Sequence, residues 1–171
     1  MLIRPMTDAD AEEVSALILR SYDRVLVHYH SPEMLARFAE HATPESLTEQ
    51  LGRKEVFVVE DADRITATGG LGWFDDPNAP REEQAEVYHT AADRRVSNLF
   101  VAVDLMGRGI GRQLLDHLVR LAETEGAQRL HVASSRNAVS FYERAGFALD
   151  HDPPSDIPEI TWLLRPVNAM S

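Results

Sequence analysis

The 171-residue chain has no cysteine and only one lysine, Lys54. Without cysteine there can be no disulfide, no thiolate metal site and no cysteine nucleophile. No apolar run approaches the roughly 18 residues of a membrane span. The opening Met1-Leu2-Ile3-Arg4-Pro5 lacks a charged region followed by a long apolar stretch, so a secretory leader is not expected. The expected location is the cytoplasm. Basic surface is also short, with 17 Lys and Arg against 28 Asp and Glu and a formal net charge of -11. That balance argues against nucleic-acid binding, which needs positive charge along a phosphate backbone. It would attract cationic small molecules such as amines, although solubility alone accounts for it.

What remains is an ordinary globular composition, 44% hydrophobic and 26% charged, in a length that suits one domain over 1–171. Leu2-Ile3-Arg4 reads as a short strand. Thr7 with Asp10 reads as a capping box opening a helix on which Val14, Leu17, Ile18 and Ser21 share a face. Ser31-Pro32-Glu33 and Thr43-Pro44-Glu45 are two further helix starts, each with proline at the first helical position. Residues 55–60 and 65–73 read as a hairpin, with Gly69, Gly70 and Gly72 ending or bulging its second strand. Residues 74–94 form a polar stretch whose length admits two readings, a functional loop or a floppy insertion. Next come a strand over 95–103, a helix over 109–124, a strand over 130–133, a short helix ended by Gly146, and two late strands. Helices and strands alternate only in the second half. That pattern predicts α+β, with a mostly antiparallel sheet and one βαβ crossover.

The most informative stretch is Val101-Ala102-Val103-Asp104-Leu105-Met106-Gly107-Arg108-Gly109-Ile110-Gly111-Arg112, with glycines at alternate positions between a strand and a helix. Unpaired N–H groups and the dipole at a helix start suit a phosphate or pyrophosphate. The turn fails the dinucleotide fingerprint, because Leu114 stands where a further glycine is required. It also fails the P-loop pattern, since no Gly-Lys-Ser/Thr occurs. Taken alone, such a glycine cluster reads better as a structural turn. A second motif, Asn137-Ala138-Val139-Ser140-Phe141-Tyr142-Glu143-Arg144-Ala145-Gly146-Phe147, lies one helix and one strand downstream.

Together the two motifs resemble the GNAT superfamily of N-acetyltransferases. The family signature R/Q-x-x-G-x-G/A corresponds to Met106-x-x-Gly109-x-Gly111, and its aromatic-Tyr-Glu-x-x-Gly-Phe helix end to Phe141 through Phe147. The resemblance is specific over 95–147, and the order of elements extends it over nearly the whole chain. It implies a GNAT-like mixed, mostly antiparallel sheet with a splayed β4/β5 pair and flanking helices. It also implies acetyl-coenzyme A as co-substrate and direct acetyl transfer to a primary amine in a ternary complex. Leu99, Phe100 and Val101 would offer backbone groups to the pantetheine arm. Backbone N–H groups from Gly107, Arg108, Gly109, Ile110, Gly111 and Arg112 would hold the pyrophosphate, with Arg108 and Arg112 adding charge. Tyr142 would protonate the leaving thiolate, a role suited to a phenol whose reference pKa is near 10. Ser135 or Asn137 would contact the coenzyme arm or cap the helix.

Three positions depart from the family pattern. Met106 replaces the usual Gln or Arg, Asn98 stands where many relatives carry a glutamate base, and Leu130 occupies another such position. The base is therefore sought elsewhere. His28-Tyr29-His30 borders the expected acceptor pocket, and histidine titrates near neutrality. His30 is the candidate base, with His28, Tyr29 and Trp73 as candidate acceptor contacts. An ordinary reading makes the two histidines partly exposed neighbours of a helix cap. A metal reading lacks a carboxylate or cysteine partner, so no metal is expected. Glu86, His89 and Asp93 in the polar stretch are second-rank candidates, and His131 reads as a strand residue in satisfied packing. Two other functions stay open, an acyl-coenzyme A sensor without catalysis and a nucleotide-binding regulator. The expected partner is a small-molecule or peptide amine, with no nucleic acid and no membrane. Many relatives pair as dimers, but no segment marks an interface.

Overall fold

The computed structural model describes residues 1–73, 92–153 and 157–167. Glu86 and His89, and most of the polar stretch that holds them, lie outside the described residues. The strands are β1 (Leu2–Pro5), β2 (Glu55–Asp61), β3 (Arg64–Trp73), β4 (Asp93–Val101), β5 (Arg129–Ser134), β6 (Ala148–Leu149) and β7 (Thr161–Pro166). The helices are α1 (Ala11–Arg24), α2 (Pro32–Glu40), α3 (Pro44–Gln50), α4 (Ile110–Thr124) and α5 (Val139–Arg144). The sheet runs β1-β2-β3-β4-β5-β7-β6. The β1/β2, β5/β7 and β6/β7 pairs are antiparallel, and β4/β5 is parallel, so the predicted mixed α+β sheet is the observed one. The parallel register runs from Asp93↔Arg129 to Val96↔Val132, while β4 continues to Val101.

The chain divides into two compact units, Met1–Gly70 with Asn98–Asp116, and Leu71–Ser97 with His117–Ser171. In the first, the predicted face of α1 (Val14, Leu17, Ile18 and Ser21) is buried, and Val14, Leu17 and Ile18 pack with Tyr22, Leu26, Leu47, Val58 and Ile65. Removing such side chains from water is the main favourable term, about 1.5–3 kcal/mol for each large one. The caps form as the sequence predicts. Ser31 Oγ accepts from Met34 N at 3.3 Å and Thr43 Oγ1 from Ser46 N at 3.1 Å, each ahead of a first-turn proline. Asp10 Oδ2 accepts from Thr7 N at 2.8 Å, and both carboxylate oxygens accept from Arg4. That guanidinium holds the Asp10 carboxyl at about 2, below the ordinary 3.8. Between β2 and β3, Ala62 and Asp63 have φ of 50° and 60°, the left-handed pair of a tight hairpin turn.

Two expectations change in detail. Gly69, Gly70 and Gly72 all lie inside β3, which runs to Trp73, and Ile65 through Gly72 are all buried. Without side chains, Gly69, Gly70 and Gly72 fit a strand covered on both faces. The strand predicted over 95–103 instead starts at Asp93 and stops at Val101, and Val103–Leu105 forms a 3-10 turn. Asp93 is therefore not a loop residue. In the second unit Leu118, Leu130 and Leu163 are wholly buried, together with His131 and Arg94.

Candidate active site

The glycine turn belongs to the first unit. Gly107 and Gly109 have φ of +80° and +83°, conformations that L side chains rarely adopt. A Cβ placed on either would meet nothing within 4 Å, so the space above both is open. Gln113 N donates to Gly109 O at 3.1 Å, the first bond of α4. The backbone N–H groups of this first turn point out of the start of the helix. Gly111 is buried in the first turn of α4, and Arg108 is exposed. Arg112 is already committed, its Nε donating to Asp116 Oδ1 at 3.0 Å along the helix. Of the two arginines expected to add charge, Arg108 is the one whose neighbour is a carboxylate before the turn: with Arg64, its charge holds Asp104 below the ordinary value. Arg64 is the larger cause, through two hydrogen bonds of 2.9 and 2.7 Å. Met106 is exposed at the rim of the turn.

The strand leading to this turn alternates sides. Leu99 and Val101 pack with Ile110, Val59 and Leu114, whereas Phe100 packs among the α1 residues. Phe100 lies 5.7 Å from Tyr22, Tyr22 lies 6.3 Å from Phe38, and Phe38 lies 5.2 Å from His30. His30 is thus buried in an aromatic row, while His28 and Tyr29 are exposed. The expectation of two partly exposed histidines holds for His28 alone. The reason is local: the 3-10 turn Leu26–His28 buries Leu26, and His30 N then donates to Leu26 O at 3.0 Å, drawing His30 inward.

In the second unit, Tyr142 sits on α5 and is 5% exposed, edge-on to Phe141 at 5.1 Å and Phe147 at 5.6 Å. Burial raises its phenol above the ordinary value. Among the described residues no hydrogen bond engages its hydroxyl. Such a group keeps its proton through the neutral range and can give it only to a strong, locally generated base. Ser135 stands at the N-cap of a 3-10 turn, and its Oγ donates to Asn137 Oδ1 at 2.5 Å. Trp73 is 39% exposed, with the Arg94 guanidinium 3.6 Å over its ring.

Sequence reasoning misses Arg94 and ranks Asp93 only as a loop candidate. Arg94 is 1% exposed, donates to Gly72 O at 3.0 Å and Leu71 O at 3.2 Å, and pairs with Glu125. Asp93, also 1% exposed, takes Arg129 at 2.8 and 2.9 Å and His131 Nε2 at 2.8 Å. These contacts make Asp93 a structural anion rather than an accessible base. The acceptor carboxylate places the His131 proton on Nε2. Burial lowers the His131 pKa, and the hydrogen bond and charge of Asp93 offset that in part. At Nε2, the reading of His131 as satisfied packing agrees with this. Among the described residues no cluster of His, Asp and Glu could hold a metal ion, and no helix is long and apolar enough to cross a membrane.

Comparison with known proteins follows the same lines. The sequence model of the acetyltransferase (GNAT) domain matches residues 26–156. No curated protein sequence matches the chain. Among solved structures, the chain is similar to the PaiA N-acetyltransferase of Thermoplasma acidophilum, crystallised with coenzyme A. That match has a TM-score of 0.77 at 13% identity, covering 96% of this chain and 98% of that one. An acetyltransferase of the GNAT family from Staphylococcus aureus gives 0.72 at 15% identity, over 98% and 99%. Tetrahymena GCN5 gives 0.67 at 11% identity, over 100% and 99%.

Proposed function

Because the chain belongs to the GNAT acetyltransferase family, we propose that it transfers an acetyl group from acetyl-coenzyme A to a primary amine by direct attack, as one catalytic domain. The observation that carries the reading is the turn at Gly107 and Gly109: two left-handed glycines open to space, set at the start of a fifteen-residue helix. Backbone N–H groups there and the dipole of α4 suit the coenzyme's pyrophosphate, and Arg108 adds charge. Leu99, Phe100 and Val101 offer their backbone groups to the pantetheine arm, while their side chains are used in packing.

The chemistry needs three acts. A neutral amine attacks the thioester carbonyl, so the C–N bond forms as the carbonyl oxygen takes up the electron pair. A backbone N–H of β4 stabilises that oxyanion. The C–S bond then breaks, and Tyr142 gives its proton to the thiolate. The buried phenol is suited to this step because it is never ionised beforehand. His30, buried beside Phe38, remains the candidate to take the amine proton.

A second reading, an acyl-coenzyme A sensor, draws on Asn98, which cannot serve as a base where many relatives carry glutamate. Coenzyme A release from acetyl-coenzyme A with benzylamine, spermidine and an alanine-terminated peptide separates the two. The enzyme reading predicts release with at least one amine and a loss of about a hundredfold in kcat for Tyr142→Phe. Binding of acetyl-coenzyme A with no release on any of these amines would favour the sensor. Thermal stabilisation by ATP as large as by acetyl-coenzyme A would instead favour a nucleotide-binding regulator.

A further inference from the structure

Asn98 is the one residue within β4 whose φ, 52°, lies in the left-handed region. Asparagine is among the few side chains that tolerate this, so the backbone alone would explain its presence. Its side chain adds something the backbone does not require. Asn98 Nδ2 donates to Gln50 Oε1 at 3.0 Å. Gln50 is buried at the end of α3, and its Nε2 donates to His41 O at 2.9 Å and to Ser46 Oγ at 3.2 Å. The His41 carbonyl can only accept, so the Gln50 amide cannot be turned round. Oε1 must then face Asn98, which forces the Asn98 nitrogen onto Gln50 and its oxygen to the opposite side of the amide. Among the described residues Oδ1 accepts no hydrogen bond. A carbonyl oxygen locked in one orientation, at a kink one residue before Leu99, is a prepared acceptor for an N–H.

We infer that Asn98 Oδ1 orients the attacking N–H of the acceptor amine, with Gln50 as the positioning residue that fixes its direction. The inference rests on the acetyltransferase reading above. It gives Asn98 a task that needs no proton transfer: a neutral acceptor aligns the nitrogen lone pair and leaves deprotonation to another group.

The test compares wild type, Asn98→Gly and Gln50→Met with the same three amines and acetyl-coenzyme A. Glycine accepts the left-handed φ without strain, so Asn98→Gly removes the amide and keeps the strand geometry. Its kcat/KM for the amine should fall about tenfold or more, the scale of one lost hydrogen bond to a polar ligand in a closed site. Its KM for acetyl-coenzyme A should stay within threefold. Gln50→Met should lower the amine kcat/KM in the same direction. In 15N-labelled protein it should also shift the Asn98 side-chain amide signals, a readout that loss of stability alone would not give. Wild-type turnover with Asn98→Gly unchanged for every amine overturns this inference and leaves the acetyltransferase reading intact. Absence of wild-type turnover on all three amines overturns both.

Discussion

The two ends of β4 use opposite chemistry. At its start, Asp93 and Arg94 are each 1% exposed charges, held by Arg129, His131, Glu125 and two backbone carbonyls. Beyond its end, Gly107 and Gly109 have no side chain, and the space above them is open. Buried charge that is fully partnered rigidifies a strand but is costly to disturb. Backbone left open costs little to the fold and has value only when something docks on it. One strand thus carries a structural anchor at one end and leads into a proposed binding turn at the other.

The comparison breaks first at the anchor. Asp93→Ala would leave the buried imidazole of His131 and the Arg129 guanidinium without their carboxylate. It should cost about 3–5 kcal/mol of stability in urea unfolding, the range for breaking a buried pair. A loss under about 1 kcal/mol would mean that the cluster is solvated and that burial misleads. Smaller in effect is the pair at the chain's start. Because the Asp10 carboxyl is held near 2, its contribution to stability is present above its ordinary 3.8 and drains as pH falls toward 2. The difference in stability between wild type and Asp10→Asn should therefore be about 2 kcal/mol at pH 6 and shrink between about pH 4 and pH 2. A difference independent of pH would show that the carboxylate's charge is not what Arg4 reads.

What was legible in the sequence was local. Ser31-Pro32 and Thr43-Pro44 bind their own helices within three residues, and the alternate glycines before Ile110 carry their conformational meaning in their identity. Sequence alone places Asp93 in a loop because its partners Arg129 and His131 lie 36 and 38 residues away. A carboxylate next to two arginines in a polar run looks solvated until the parallel pairing of β4 and β5 brings those partners to it. The β3 glycines depend on tertiary context for a related reason. A glycine cluster signals a turn when its neighbours are exposed, and only tertiary burial shows that these lie within a covered strand. The sequence shows only what the Asn98 side chain cannot do as a base, whereas its left-handed φ and the fixed amide of Gln50 decide its geometry.

The most direct measurement is isothermal titration of coenzyme A into wild type, Gly109→Asp and Asp93→Asn, each with its unfolding curve. Aspartate tolerates a left-handed φ better than most side chains, and its Cβ would meet no protein atom at Gly109. The account predicts that Gly109→Asp unfolds within about 2 kcal/mol of wild type yet shows no detectable coenzyme binding, through lost approach and like-charge repulsion. Asp93→Asn should be the reverse, weaker in unfolding and unchanged in affinity. Unchanged affinity in Gly109→Asp would contradict the placement of the coenzyme on this turn.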